Sequence, residues 1–309
     1  MKSSHCSPIK KIDGVELASE FFRDRFRSRR PMRIVFDCSN GSTGPLVEKT
    51  LHRHPQISFS IINGRPNGDF PAHGPDPTKE GALNGLKKEV CRVRADLGVA
   101  FDADGDRAVF VDDNGEEIGA NIISRLLLER MAPKKALIDL RIGWLVKDAV
   151  RDGIIKTDIS ESRVGHYFIK KTMRRERIEL ACELSGHYYF RDFFYADSGL
   201  MTAAKVLEAV SKLEDDFSVW KNSLPKYYRL PETSFEVEDK KKIMRRVERR
   251  FRGEAKSMLR LDGLSLELDD WWLNIRPANT ENLLRLNLEA RTKEAFDSAA
   301  ERVMEELRP

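Results

Sequence analysis

The chain has 309 residues, of which 40% are apolar and 34% charged, and its formal net charge is +4. This length suits two or three domains and rules out a peptide too small to bury a core. No apolar run approaches the length of a membrane helix, and the first thirty residues are charged, unlike a signal peptide. Basic residues alternate with acidic and apolar ones, as on solvated helix faces, so neither nucleic acid nor membrane is an expected partner.

The cysteines are widely spaced and form no C-x-x-C pair, which argues against a zinc knuckle or a disulfide framework. We therefore expect a reducing compartment and a cytoplasmic location. The four positions are Cys6, Cys38, Cys91 and Cys182.

Short apolar runs alternate with helical periodicity through the first two thirds of the chain. A helix is predicted over residues 78–93, with Thr78 as its N-cap. The order predicts an α/β domain over residues 14–116, with a mainly parallel sheet, after an N-terminal tail of residues 1–13. Its strands are predicted at residues 32–37, 57–62, 96–101 and 108–111.

The alternation continues after the tight turn at Asn114-Gly115 and predicts a second α/β domain over residues 117–224. Strands are predicted at residues 136–140, 154–157 and 178–183, and helices at 120–131, 144–151, 165–174 and 197–213.

After Pro225, five short strand-like runs surround two helices, at residues 239–251 and 293–307. This order predicts a small α+β domain with an antiparallel sheet over residues 225–309. Pro231 near the first of these strands suits an edge position, because proline cannot donate a ladder hydrogen bond. The expected fold class is therefore two consecutive α/β domains with mixed or parallel sheets, followed by a small α+β domain.

An acidic segment, Asp102-Ala-Asp-Gly-Asp-Arg107, follows a predicted buried strand. Three carboxylates on one tight turn repel one another unless a cation binds, and hard oxygen ligands suit Mg²⁺. Gly105 permits the bend, and a guanidinium directly after the carboxylates suits a phosphate. An EF-hand is excluded because Arg107 stands at position six, where glycine is required, and Asp113 stands at position twelve instead of glutamate. A solvated acidic turn is the alternative.

A polar segment, Glu183-Leu-Ser-Gly-His187, ends another predicted strand. It offers acceptor, donor and titratable groups to a polyhydroxylated ligand. A nucleophilic Ser-His pair is disfavoured because the G-x-S-x-G pattern is absent. An ordinary polar loop stays open as the alternative.

Two further segments carry arginine. Arg276-Pro-Ala-Asn-Thr280 lies between two predicted strands, with Arg285 close behind, and is a candidate phosphate clamp or a capped surface turn. Arg163-Val-Gly-His166 opens a predicted helix, and Arg141 follows an earlier strand. A structural histidine is the alternative at this fourth position.

Taken in this order, the four segments resemble those of the α-D-phosphohexomutases, the phosphomannomutase/phosphoglucomutase family. The resemblance runs from about residue 14 to the C-terminus and includes Asn67-Gly-Asp-Phe-Pro71 and residues 73–79. It implies that Mg²⁺ is held by Asp102, Asp104 and Asp106. It also implies that Arg107, Arg141 and His166 serve transfer of the phosphoryl group and of protons. The residues implied to bind a mannose or glucose phosphate are Glu183, Ser185, His187, Arg276, Asn279 and Thr280.

The family interconverts hexose 6-phosphate and hexose 1-phosphate, and hexose 1,6-bisphosphate is the intermediate and activator. The phosphoryl donor is a phosphoserine in the family's first domain, to which this sequence has no counterpart. We therefore expect little or no mutase activity from this polypeptide alone, and a separate chain carrying the serine domain as a candidate partner. The alternatives are a non-catalytic hexose-phosphate-binding module and a Mg²⁺-dependent sugar-phosphate phosphatase.

Two residues depart from the family's usual pattern. Ala103 replaces a glycine in the metal loop, and its methyl group is tolerated if φ is negative there. Ala278 replaces a serine in the phosphate loop. The lost donor should weaken phosphate binding by about 1.5–3 kcal/mol, the usual worth of a hydrogen bond to a charged group.

Overall fold

The structure is a computed structural model that describes residues 12–278 and 281–307. The chain divides into two compact units. The first contains the residues up to 116 together with 200–212, and the second contains 117–199 and the residues from 213 onwards. The second and third predicted domains thus fall in one unit, and their boundary stays a prediction. Most of the predicted tail, residues 1–11, lies outside the described part of the chain.

The first unit is built around a buried parallel core. Strand β1 pairs in parallel with β2 on one side and β3 on the other, and β4 runs antiparallel to β3. Every residue of β3 is buried, as expected for a central strand covered on both faces. The elements are α1 (Gly14–Arg23), β1 (Met32–Asp37), α2 (Thr43–Leu51), β2 (Ile57–Ile62), α3 (Asn84–Val93), β3 (Leu97–Phe101) and β4 (Ala108–Asp112), with most of the later helix Gly199–Val210.

The predicted helix over residues 78–93 is wrong in its first part, because α3 begins only at Asn84. Thr78 does not cap it. The backbone N–H and the hydroxyl of Thr78 both donate to Asp76 Oδ1, at 3.0 and 2.7 Å. Thr78 is thus used in a local turn, a common alternative to capping for a threonine after an aspartate.

The second unit begins with a mixed sheet in the order β10-β9-β8-β6-β7, in which β7, β6 and β8 are parallel. The strand predicted at residues 154–157 is wrong. The backbone N–H groups of Ile154 and Ile155 both donate to Ala149 O and close the end of a helix, so the strand starts at Asp158. The elements are β5 (Glu117–Ile118), α4 (Ala120–Met131), β6 (Lys135–Asp139), α5 (Trp144–Arg151), β7 (Asp158–Ser162), α6 (His166–Glu176), β8 (Leu180–Cys182), β9 (Tyr188–Phe190), the 3-10 turn Arg191–Phe193, β10 (Ala196–Asp197), α7 (Gly199–Val210, shared with the first unit) and α8 (Phe217–Ser223).

The rest of the second unit is an antiparallel sheet in the order β11-β15-β14-β13-β12. Pro231 lies on the edge strand β11, as predicted, where the register shifts between Leu230 and Thr233. Two helices cover one core, in which Leu273, Leu286 and Val303 are fully buried. The elements are β11 (Tyr228–Glu236), α9 (Lys240–Phe251), β12 (Ser257–Leu259), β13 (Leu264–Glu267), β14 (Trp271–Pro277), β15 (Leu283–Ala290) and α10 (Lys293–Leu307).

The predicted fold class is confirmed: two successive mixed α/β sheets precede an antiparallel α+β sheet. Among the helices of residues 12–278 and 281–307, none combines the length and the apolar character that spanning a bilayer requires.

Candidate functional site

The acidic loop of the first unit follows the carboxyl end of β3, and its three carboxylates lie close together. Asp102, Asp104 and Asp106 can each place one carboxylate oxygen within 4.8 Å of the other two. The turn is closed by Asp102 Oδ1, which accepts the backbone N–H groups of Gly105 at 3.1 Å and Arg107 at 3.2 Å. Gly105 has a φ of +78°, in the left-handed region that glycine tolerates. This all-oxygen donor set fits a hard divalent cation.

The electrostatics of the loop favour a bound cation. Burial, and then the neighbouring Asp106 carboxylate, raise the pKa of Asp102, although hydrogen bonds from Arg107 oppose the rise. Arg107 Nε donates to Asp102 Oδ2 at 2.7 Å, and its Nη1 donates to Asp76 Oδ1 at 3.1 Å. One guanidinium therefore offsets part of the charge of three clustered carboxylates, and it is held in place from two sides.

Ala103 meets the condition under which its methyl group is tolerated. The φ angle of Ala103 is not positive, unlike that of the described residues in the left-handed region. Its N–H donates to Pro75 O at 3.0 Å, and its carbonyl accepts from Ser42 N–H at 2.9 Å. The replacement of glycine therefore brings no left-handed strain to the acidic loop.

A buried aspartate beside this loop escaped the sequence analysis. Asp37, at the end of β1, is fully buried. Its Oδ1 accepts the Asn63 side-chain amide at 3.0 Å, and its Oδ2 lies 3.2 Å from His73 Nε2. Asp37 thereby fixes part of the segment before the acidic loop. The sequence around Asp37 does not mark it as a site residue, because a single aspartate after an apolar run is common at the ends of strands.

In the second unit, Glu183 lies at the end of β8 with only 2% of its surface exposed. Its carboxylate accepts Gly165 N–H at 3.3 Å and the Tyr189 hydroxyl at 3.1 Å, and it lies 3.3 Å from His187 Nδ1. Burial by itself would raise the pKa of Glu183, but the contacts with His187, Arg141 and Tyr189 outweigh it and lower that pKa to about 2. Glu183 is therefore an ionised, internally paired carboxylate.

The predicted histidines meet around this carboxylate. Ser185 Oγ lies 2.8 Å from His187 Nδ1, and the rings of His166 and His187 are 4.5 Å apart in an edge-on arrangement. His166 Nδ1 lies 2.6 Å from Asp197 Oδ2, and nearly half of the His166 side chain is exposed. Asp197 was not identified from the sequence. The fourth candidate segment and the polar loop are thus parts of one cluster.

Arg141 follows β6 and is buried, with 6% of its side chain exposed. Its Nη2 donates to Asp139 Oδ2 at 2.7 Å, and its backbone N–H donates to Asp139 Oδ1 at 2.7 Å. Nη1 donates to Glu232 Oε2 at 3.0 Å, and Nη2 lies 3.8 Å from Glu183 Oε1. Burial lowers the pKa of Arg141, but Asp139 and Glu232 raise it further than burial lowers it.

Arg276, at the end of β14, faces Arg285 of β15 directly across the ladder. Its Nη2 donates to both oxygens of Glu232, at 3.2 and 3.3 Å, and Arg285 Nη1 lies 3.6 Å from Glu232 Oε1. Ala278 N–H donates to Leu283 O at 2.9 Å across the connection. Asn279 and Thr280, the other predicted phosphate ligands, lie outside the described residues.

The predicted site residues thus form two groups. The first unit carries the three aspartates and Arg107, and the second unit carries the Glu183 loop, His166, Arg141 and Arg276. Within the second unit, Arg141 connects Glu183 to the phosphate-loop arginine through Glu232, a residue that the sequence analysis did not select. Neither Asp139 nor Glu232 belongs to a recognisable local motif, so only the fold could identify them.

Together these groups offer carboxylates for a divalent cation, polar side chains for hydroxyl groups and guanidinium groups for phosphate. Three sequence models of the phosphoglucomutase/phosphomannomutase family match the chain. The α/β/α domain II matches residues 15–115, the α/β/α domain III residues 114–228, and the C-terminal domain residues 232–306. The chain therefore belongs to the phosphoglucomutase/phosphomannomutase family, the α-D-phosphohexomutases.

Individual relatives agree with this assignment. A phosphomannomutase of Methanocaldococcus jannaschii is 35% identical over 95% of this chain and 65% of its own length. A family protein of Burkholderia thailandensis has the same fold, with a TM-score of 0.86 and 26% identity over 96% of this chain and 65% of its own. An N-acetylphosphoglucosamine mutase of Aspergillus fumigatus, in complex with GlcNAc-6P and magnesium, shares the fold at 13% identity and a TM-score of 0.67, over 95% of this chain and 65% of its own. The chain thus spans about two thirds of the length of these relatives.

Proposed function

We propose that this chain binds a hexose phosphate with Mg²⁺ and serves a phosphohexomutase reaction of the phosphomannomutase/phosphoglucomutase type. That reaction interconverts hexose 6-phosphate and hexose 1-phosphate through a bisphosphorylated intermediate, with hexose 1,6-bisphosphate as activator. The observation that carries the proposal is the convergence of Asp102, Asp104 and Asp106 within 4.8 Å in a chain of this family. The phosphomannomutase relatives support the substrate class, and the magnesium complex of a protein with the same fold supports the metal.

In the first unit, Asp102, Asp104 and Asp106 would hold the metal. Bound Mg²⁺ supplies positive charge that stabilises a phosphoryl group during its transfer. Arg107, fixed by Asp102 and Asp76, would bind an oxygen of the same phosphate. Most of the work of these residues is therefore positioning and charge compensation.

In the second unit, Ser185 and His187 would bind sugar hydroxyls, on a loop whose shape the buried Glu183 helps to hold. The family pattern assigns Glu183 a direct sugar contact as well. Arg276, together with Asn279 and Thr280, would hold the phosphate that does not react.

The family resemblance places Arg141 and His166 near the groups that transfer protons. Because Asp197 lies against Nδ1 of His166, proton exchange between this imidazole and a ligand would use Nε2. Arg141 stays protonated, so its part would be to stabilise negative charge as it develops.

Calorimetric titration with mannose 1-phosphate and glucose 1-phosphate in the presence of Mg²⁺ tests the binding. We expect binding that Arg276→Gln weakens by about tenfold or more, because a hydrogen bond to a charged group contributes about 1.5–3 kcal/mol. The control is Arg260→Gln, which removes an exposed arginine paired with Glu248 and should leave the affinity unchanged. No binding of either sugar phosphate by the folded chain would overturn the proposal.

Phosphorus NMR with added hexose 1,6-bisphosphate tests turnover. Our expectation for this polypeptide by itself stays as the sequence predicts, little or no mutase activity, with turnover restored by a chain that carries the serine domain. Release of inorganic phosphate would favour the phosphatase instead. Binding that never leads to turnover, even with the serine domain present, would favour a hexose-phosphate-binding module. The cytoplasmic location stays a prediction.

A further inference from the structure

Glu232 is the meeting point of cationic side chains from three segments of the second unit. It lies on the edge strand β11 at the register shift between Leu230 and Thr233. Such an irregularity frees a residue from the ladder and turns its side chain in a new direction. A quarter of the Glu232 side chain is exposed.

The contacts of Glu232 use both carboxylate oxygens. Oε2 accepts Arg141 Nη1 at 3.0 Å and the side-chain amide of Asn287 at 3.1 Å. Arg276 Nη2 donates to Oε1 at 3.2 Å and to Oε2 at 3.3 Å, and Arg285 Nη1 lies 3.6 Å from Oε1. Three guanidinium groups and one amide therefore share a single carboxylate.

Glu232 is the counter-charge of two of these arginines. Arg141 has a second partner in Asp139. Within the described part of the chain, Arg276 and Arg285 have Glu232 as their carboxylate partner. Arg276 is only 13% exposed, and a cation so shielded needs a counter-charge nearby. Without Glu232, the like charges of Arg276 and Arg285 would face each other across the ladder.

Glu232 does not use every donor of Arg276. It uses Nη2 for Glu232, while its Nε is buried and has no hydrogen-bond partner among the described residues. Burial by itself would raise the pKa of Glu232, but Arg141 and Arg276 outweigh it and lower that pKa to about 2. The carboxylate is thus ionised at neutral pH and holds Arg276 from one side.

We infer that Glu232 is a positioning residue of the phosphate subsite, which fixes the guanidinium of Arg276 before the sugar phosphate arrives and connects it to Arg141 and the Glu183 loop. The inference rests on the proposed function for the identity of the ligand. That Glu232 fixes the Arg276 side chain in the free chain is a separate statement, which holds or fails whatever the ligand is. Fixing the donor beforehand reduces the entropy lost on binding.

The test compares Glu232→Gln with Glu236→Gln, an exposed glutamate four residues further along the same strand. Spectra of the arginine Nε–H groups are recorded on the free full chain labelled with nitrogen-15 in arginine, and the signal of Arg276 is assigned by its loss in Arg276→Lys. We expect a slowly exchanging Arg276 Nε–H signal in the parent chain. We expect faster exchange in Glu232→Gln, and no change in Glu236→Gln.

Titration with mannose 1-phosphate or glucose 1-phosphate and Mg²⁺ then measures the consequence. Glu232→Gln should raise Kd by about tenfold, Glu232→Asp should restore part of the affinity, and Glu236→Gln should match the parent. Equal or tighter binding by Glu232→Gln would overturn the inference. If Glu232 merely repelled the phosphate, removing its charge would lower the Kd instead of raising it. If the parent chain binds no sugar phosphate, the proposed function fails. An unchanged Arg276 signal in Glu232→Gln would separately overturn the positioning role, and thermal melts establish that each variant is folded.

Discussion

The acidic loop of the first unit and the arginine cluster of the second (Arg141, Arg276 and Arg285 around Glu232) both bring like charges together, negative in the loop and positive in the cluster. In the loop, three carboxylates share one nearby guanidinium, that of Arg107. In the cluster, three guanidiniums share one carboxylate, that of Glu232. The loop therefore keeps a net negative charge, and Arg276 and Arg285 together with Glu232 keep a net positive one. Each region suits a ligand of the opposite charge, a divalent cation in the loop and a phosphate beside the two arginines.

The two regions differ in how they are assembled. The carboxylates of the loop come from five consecutive residues, so a single turn places them together. The cluster draws on β11, β14 and β15 and on the residue two positions after β6. The geometry of the loop is set by one turn of the chain. The geometry of the cluster is set by the packing of several elements against one another. Changes in the loop should therefore act mainly on metal affinity, and changes around the cluster should also act on stability.

The largest effect is expected in the loop. The double change Asp104→Asn with Asp106→Asn removes two of three charged ligands. It should raise the Kd for Mg²⁺ by about a hundredfold or more, since each such ligand contributes about 1.5–3 kcal/mol. Calorimetric titration with magnesium chloride measures this, and the exposed Asp69→Asn in the same unit is the control. Undiminished Mg²⁺ affinity in the double variant would make the loop a solvated acidic turn.

The next effect concerns Glu183, the buried partner of the cluster. Its pKa is about 2 in the folded chain against an ordinary value of 4.5, so ionised Glu183 stabilises the fold above pH 4.5. That contribution, at most about 3 kcal/mol, is lost as the pH falls from 4.5 through about 2. Urea unfolding should show the parent exceeding Glu183→Gln in stability near neutral pH, by a margin that shrinks on acidification.

The exposed Glu238→Gln serves as the control for this pH dependence, because it changes a solvated carboxylate of the same unit. A margin between the parent and Glu183→Gln that stays constant between about pH 6 and about pH 3 would contradict the charge argument. It would assign the loss of stability to packing instead.

The smallest expected difference between a variant and its control separates shape from charge in the acidic loop. Gly105 and Gly74 both have positive φ, +78° and +84°. A Cβ on Gly105 would lie 2.3 Å from Thr43 Cγ2, whereas one on Gly74 would meet nothing within 4 Å. Both alanine variants should lose about 1–2 kcal/mol to left-handed strain, and Gly105→Ala should lose about 2 kcal/mol more through the clash. Equal losses in urea unfolding would mean that Thr43 moves aside.

Several features could be predicted from local pattern. The buried strands of the first unit, the antiparallel sheet after Pro225 and the edge position of Pro231 all follow from apolar spacing and backbone chemistry. The two errors came from competing local hydrogen bonds. Thr78 donates to Asp76 instead of capping a helix, and Ile154 and Ile155 close a helix end instead of opening a strand. Apolar periodicity does not reveal either choice, because a β-branched residue suits both structures.

By itself, the sequence determined the acidic loop, the polar loop at Glu183 and the family to which they belong. These depend on residues close together in the chain, whose spacing fixes their geometry. Only the tertiary structure decided which distant charges face one another. It brought Asp37 to His73, buried Glu183 beside His187, and set Glu232 among Arg141, Arg276 and Arg285. The physical reason is that sheet pairing and strand register set distances between remote residues, and charge spacing along the chain carries no record of them.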